Sequence, residues 1–146
     1  MIIGFCSAIL LGLFLEYPVH RLFHSGYFFS KRHRAHHISN NAYGWIKDFL
    51  TFYYPGVLPL LILGFLISFW FGLGWFVGGT FFILILIGAH YIQHHYPRRV
   101  FWMKYPIHYL HHNHSMKYNF GITNTLFDHI FGTYKATNDW FLKRAD

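Results

Sequence analysis

Charge is scarce in this chain. Asp, Glu, Lys and Arg make up 12% of its 146 residues, about half of the ~25% usual in soluble domains. With 54% apolar residues and a mean hydropathy of +0.27, such a chain is solvated mainly by lipid. Cysteine is almost absent. Cys6 stands alone, which excludes an intramolecular disulfide and any Cys-His zinc pattern; it reads as a small buried apolar residue. Acidic residues number 5 against 12 basic ones, for a net charge of +7. Those cations are too few and too localised to track a phosphate backbone, so nucleic acid is not an expected partner. There is no Rossmann or P-loop fingerprint, no low-complexity tract and no internal repeat beyond the histidine motifs. The length leaves room for one domain, 1–146.

From Phe49 to Ala89 there is no charged residue over 41 positions, more than the ~20 that one membrane helix needs. Gly72-Leu73-Gly74 reads as a tight turn, giving a helical hairpin of Phe49–Phe71 and Trp75–His95. Pro55 and Pro59 then fall in the first turns of the first arm, where proline is tolerated or gives a modest kink. Gly64, Gly78, Gly79 and Gly88 would let helices approach closely. Met1–Leu15 is also uncharged, but it lacks the basic start and cleavage site of a signal peptide. It reads as a membrane helix running on into Glu16–His24.

Arg21, Lys31, Arg32, Arg34 and Lys47 lie in one loop region. Arg98, Arg99, Lys104, Lys117, Lys135, Lys143 and Arg144 lie in the C-terminal part, and the Gly72–Gly74 turn carries none. By the positive-inside rule all 12 fit on one, cytoplasmic, face. The expected fold is therefore all-α and integral to the membrane, with about three transmembrane or re-entrant helices. A histidine-rich helical cap would sit on its cytoplasmic face.

What the chain has in abundance is histidine, 13 in all. His20 and His24 are four apart, as are His90 and His94; His33, His36 and His37 form an H-x-x-H-H triplet, as do His108, His111 and His112. Residues three and four apart share a helix face, so each cluster can aim its imidazoles at one place. Neutral imidazole suits Fe, Zn, Cu or Ni. One ion takes about four to six donors, so these ten suit two ions. Two redox ions can share the electrons needed to reduce O2 and to attack an unactivated C–H bond. Glu16, one turn before His20, and Asp128, beside His129, could each accept a ligand's second N–H. No separate side-chain acid or base is assigned.

Ordinary roles compete with these. A lone interfacial histidine is more often structural, and one H-x-x-x-H arises readily by chance. Two pairs and two triplets on one face are a different matter. His95, His114 and His129 fall outside the repeating pattern and suit surface or supporting roles, His129 as a possible neighbour of the ligands. Trp102, Tyr105, Tyr109 and Tyr118 read as an interfacial aromatic belt.

Glu16-Tyr-Pro-Val-His-Arg-Leu-Phe-His24, His33-Arg-Ala-His-His37, His90-Tyr-Ile-Gln-His94 and His108-Tyr-Leu-His-His112 stand in the order seen in the fatty acid hydroxylase/sterol desaturase superfamily. Asn119-Phe-Gly-Ile-Thr-Asn-Thr-Leu-Phe-Asp-His-Ile-Phe-Gly-Thr-Tyr134 resembles its C-terminal signature. The resemblance runs from about Glu16 to Tyr134 and is nearest to the branch that 2-hydroxylates acyl chains of sphingolipids. It implies that His20, His24, His33, His36, His37, His90, His94, His108, His111 and His112 are metal ligands. It also implies iron, O2 as co-substrate and a partner that supplies electrons. That donor would be of the cytochrome b5 or ferredoxin/reductase type, on a separate chain, since no His-Pro-Gly-Gly haem motif is present. The membrane would be the endoplasmic reticulum in a eukaryote and the inner membrane in a bacterium. Two departures stand out. Only three residues separate His20 from His24, as in the sterol desaturase branch, and either the family's additional N-terminal membrane helix is missing or the chain is truncated.

The leading expectation is a membrane monooxygenase acting on a fatty acyl or sphingolipid chain. A sterol or acyl desaturase, or a carotenoid hydroxylase, would use the same oxidant. A metal transporter or store would need polar residues in its spans, where Phe49–Ala89 offers only Thr51, Ser68, Thr80, Tyr53 and Tyr54. A purely structural membrane protein has no reason to gather these histidines. Zinc could replace iron in purified protein, yet it cannot pass electrons.

Overall fold

An uncharged chain in lipid must satisfy every backbone N–H and C=O internally, and the helix does so within one segment. The computed structural model accordingly shows helices and no strand among the residues that it describes, 1–27 and 29–138. The order is α1 (Ile2–Phe23), α2 (Ser30–Ser39), α3 (Trp45–Gly56), α4 (Leu58–Ile67), α5 (Phe69–His95), a 3-10 turn (Pro97–Arg99), α6 (Ile107–Asn113) and α7 (Leu126–Ile130). Helices α1 and α5, of 22 and 27 residues, are long and apolar enough to cross a membrane; α3 and α4, bent by 52°, make a third span if taken together. The protein is an integral membrane, all-α protein. Lys143 and Arg144 lie outside the described residues.

The chain forms two units: Met1–Leu15 with Tyr43–Gly88, and Glu16–Ala42 with the residues from Ala89 onward. In the first, α1 lies against α5 with glycine at the contact. A Cβ at Gly78 would lie 2.5 Å from the Phe5 carbonyl oxygen, and one at Gly74 would collide with the Met1 carbonyl and lie 2.9 Å from the Phe5 nitrogen. Absence of a side chain is what lets the two backbones meet. The Trp75 indole N–H donates to Ser7 Oγ at 2.7 Å across this contact.

The expected turn at Gly72–Gly74 is not there. Both glycines lie inside α5, and the break is at Ser68, whose backbone is extended (φ −169, ψ 157) between α4 and α5. Ser68 Oγ accepts the Phe71 N–H at 3.1 Å, which caps an orphan donor of the new helix. The first arm also differs: α3 ends at Gly56, and Pro59 opens α4 rather than lying early in one long helix. Proline at the start of a helix costs no hydrogen bond. Cys6 is exposed rather than buried. Tyr109 is buried in α6 and so does not belong to an interfacial belt.

Candidate metal centre

The second unit contains all ten histidines of the four clusters. The last turn of α1 carries His20, and His24 follows its end. The i, i+3, i+4 spacing puts His33, His36 and His37 on neighbouring faces of α2. That helix stops at Asn40, whose left-handed backbone returns its N–H to the His36 and His37 carbonyls. The final turns of α5 carry His90 and His94, and the single short helix α6 carries His108, His111 and His112.

These side chains converge in two sets. One ring nitrogen from each of His20, His24, His33, His37 and His111 lies within 4.8 Å of the others, and the same holds for one from each of His36, His90, His94 and His108. Helices α2 and α6 each contribute to both. His112 belongs to neither set by that criterion, yet its ring centroid is 4.5 Å from those of His36 and His94, 4.7 Å from His108 and 3.8 Å from His37.

Nitrogen spacings within the sets fit a shared cation. His24 Nε2 is 2.9 Å from both His33 Nε2 and His111 Nε2, and His33 Nε2 is 3.1 Å from His37 Nε2. In the other set His90 Nε2 lies 3.1 Å from His36 Nε2, and His108 Nε2 lies 3.2 Å from His94 Nε2. Two nitrogens bound at right angles about 2.0–2.1 Å from one ion are about 3 Å apart.

The outer nitrogens explain why the inner ones are lone pairs. Nδ1 of His20 is 2.6 Å from the Phe120 carbonyl, Nδ1 of His111 is 2.6 Å from the Tyr118 carbonyl, and Nδ1 of His36 is 2.9 Å from the Asn41 carbonyl. A carbonyl only accepts, so each Nδ1 carries the proton and each Nε2 is left as a donor atom for metal. His20 Nε2 and both nitrogens of His112 are buried without a hydrogen bond. Burying such atoms costs free energy unless something binds them. Burial also keeps the rings neutral. It pushes His111 down to about 3 and His24 to about 4. His33, His37, His108 and His112 are lowered by burial first and by neighbouring imidazoles second. Such a donor set could hold metal ions without first losing protons.

Residues 5–133 match the family described as fatty acid hydroxylase. The chain belongs to the fatty acid hydroxylase family. No curated protein and no solved structure matches it.

In this fatty acid hydroxylase family member the two carboxylates do not touch the imidazoles. Glu16 accepts from Thr123 Oγ1 at 2.6 Å, Asn124 Nδ2 at 2.9 Å and the N–H groups of Ile122, Thr123 and Asn124 at 3.2–3.3 Å. Asp128 accepts from the Phe120 and Gly121 N–H groups, both at 2.8 Å, and from Thr133 Oγ1 at 2.7 Å. Buried carboxylates need donors, and the loop backbone provides them more densely than a ring N–H could. The outer Nδ1–H groups of His20, His36 and His111 go to carbonyls instead. His129 is exposed and stacks on Tyr134 at 4.0 Å, away from both sets. His95 is exposed beside Tyr91, and His114 joins neither set.

One residue that the motifs passed over is Gln93, fully buried. Its Oε1 accepts the backbone N–H of His108 at 2.8 Å and its Nε2 donates to the Ile122 carbonyl at 2.7 Å. The signal was there: an amide between two histidines at the end of an apolar helix.

Proposed function

We propose that this membrane enzyme is an O2-dependent hydroxylase of a lipid alkyl chain, most simply a fatty acyl or sphingolipid chain. It holds two metal ions, expected as iron. His20, His24, His33, His37 and His111 hold one; His36, His90, His94, His108 and His112 hold the other. The two convergent nitrogen sets carry this reading, and family membership supports it. When bound, the ions supply the chemistry that reduces O2 and replaces a C–H bond by C–OH, the second oxygen leaving as water with two electrons and two protons from outside.

The chain's own residues hold the site in place. Backbone carbonyls of Tyr118, Phe120 and Asn41 fix three rings in one tautomer. The Phe120 ring, 5.3–5.8 Å from those of His111, His24 and His20, keeps water from that side. Electrons come from a separate donor of the cytochrome b5 or ferredoxin/reductase type. The histidine-bearing face is cytoplasmic, as the basic residues Arg21, Lys31, Arg98 and Arg99 around the motifs suggest.

The test is expression in a host that lacks the product, followed by lipid mass spectrometry. A lipid that gains one oxygen atom is expected. Loss of two hydrogens would assign a desaturase, a reading favoured by the three-residue spacing of His20 and His24. No oxidised lipid, with metal and reductant verified, would overturn both.

A further inference from the structure

Tyr118–Asn124 meets the histidines in a regular way. Its alternate carbonyls, those of Tyr118, Phe120 and Ile122, accept from His111 Nδ1, His20 Nδ1 and Gln93 Nε2 at 2.6, 2.6 and 2.7 Å. Five successive N–H groups, 120 to 124, go to carboxylates: two to Asp128 and three to Glu16. Both carboxylates are buried. Gly121 is needed in the middle, since a Cβ there would collide with the Asn124 carbonyl and lie 2.9 Å from Asp128 Oδ2.

The three acceptors serve different sets. His20 and His111 belong to the first. Gln93 passes the contact to the His108 N–H, at the start of α6 and in the second. Asp128 is itself tied further out: Thr133 Oγ1, which donates to it, lies 3.0 Å from the Tyr17 hydroxyl.

We propose that Tyr118–Asn124 is a positioning segment, and that Asp128 and Glu16 are positioning residues which act through it. Asp128 sets the Phe120 carbonyl that aims His20, and Glu16 anchors the far end. Gln93 carries the same reference to the second set. This rests on the reading of the two sets as metal sites, but it concerns ring orientation that exists before metal binds. A free imidazole has no reason to hold its proton on Nδ1; these rings are held so by carbonyls.

The experiment is histidine-selective 15N NMR of the metal-free full chain in detergent, with His20→Gln and His111→Gln used only to assign signals. His20 and His111 should both carry the proton on Nδ1. Finding either protonated on Nε2 would overturn the proposal. Zinc stoichiometry provides a second arm. Asp128→Asn keeps the shape but turns an N–H toward donors; it should release His20 from its tautomer and weaken the first site about 10–100-fold, leaving roughly one tight ion. Gln93→Leu should spare the His20 and His111 tautomers and weaken the second site. Equal loss of both ions in each variant, or two tight ions and unchanged tautomers in Asp128→Asn, would defeat it. Wild-type protein that binds no metal would sink the dimetal reading while leaving the tautomer result to stand or fall by itself. The wild-type measurement holds even if a variant fails to fold.

Discussion

The rings of His37 and His112 stack face to face, 3.8 Å between centroids and 10° between planes. His37 belongs to the first nitrogen set. His112 leans over the second, so the pair forms the seam between them. Both nitrogens of His112 are buried without a hydrogen bond, so this ring gains from a cation that binds them.

His112→Ala should therefore lower metal content below two ions per chain and reduce activity. The loss should be at least the ~10–100-fold that removing an outer partner costs. Metal analysis beside turnover would check it; full metal content with normal turnover would remove His112 from the site.

The two sets differ in access to solvent. His24, His33 and His37 of the first are half-buried, while His36, His90, His94 and His108 are all buried. A chelator should strip metal in two phases, one ion leaving well before the other. Variants of His24 should abolish the fast phase. A single phase for both ions would show that burial does not govern release.

Acid should destabilise the metal-free protein, and the sign follows from burial. His24 and His111 are held at about 4 and about 3, below the ordinary 6.5. The unfolded chain therefore binds more protons than the folded one below that ordinary value. Their contribution is full above about pH 6.5 and is lost progressively as pH falls toward about 4 and 3. Denaturant melts in detergent, run downward from neutrality, should show falling midpoints. A midpoint that rises on acidification would contradict the neutral, buried rings.

Membrane packing offers a paired test. Gly78→Ala places a methyl 2.5 Å from the Phe5 carbonyl oxygen, whereas at Gly88 the nearest atom is in Trp45 at 3.8 Å. The first should cost about 1–3 kcal/mol through overpacking and the second little. Thermal unfolding of both variants in one detergent decides; equal midpoints would mean that α1 and α5 are not in close contact.

Much of the site was legible along the chain because helical spacing is local. His33, His36 and His37 could be placed on adjoining faces of one helix without any tertiary knowledge. So could the membrane helices, since 41 uncharged residues leave little choice. The turn was misplaced because glycine has two uses. Gly72 and Gly74 serve close packing, and an ordinary polar residue, Ser68, caps the break.

Composition and spacing by themselves determined the membrane, the all-α class and ten candidate donors, since each rests on nearest neighbours along the chain. Only the tertiary structure decided how the donors divide. Helix α2 gives His33 and His37 to one set and His36 to the other, and α6 divides His111 from His108. That division depends on which helices meet, as does the use of Glu16 and Asp128. From sequence each carboxylate had a histidine beside it; in the fold both accept from the backbone N–H groups of 120–124, over a hundred residues from Glu16.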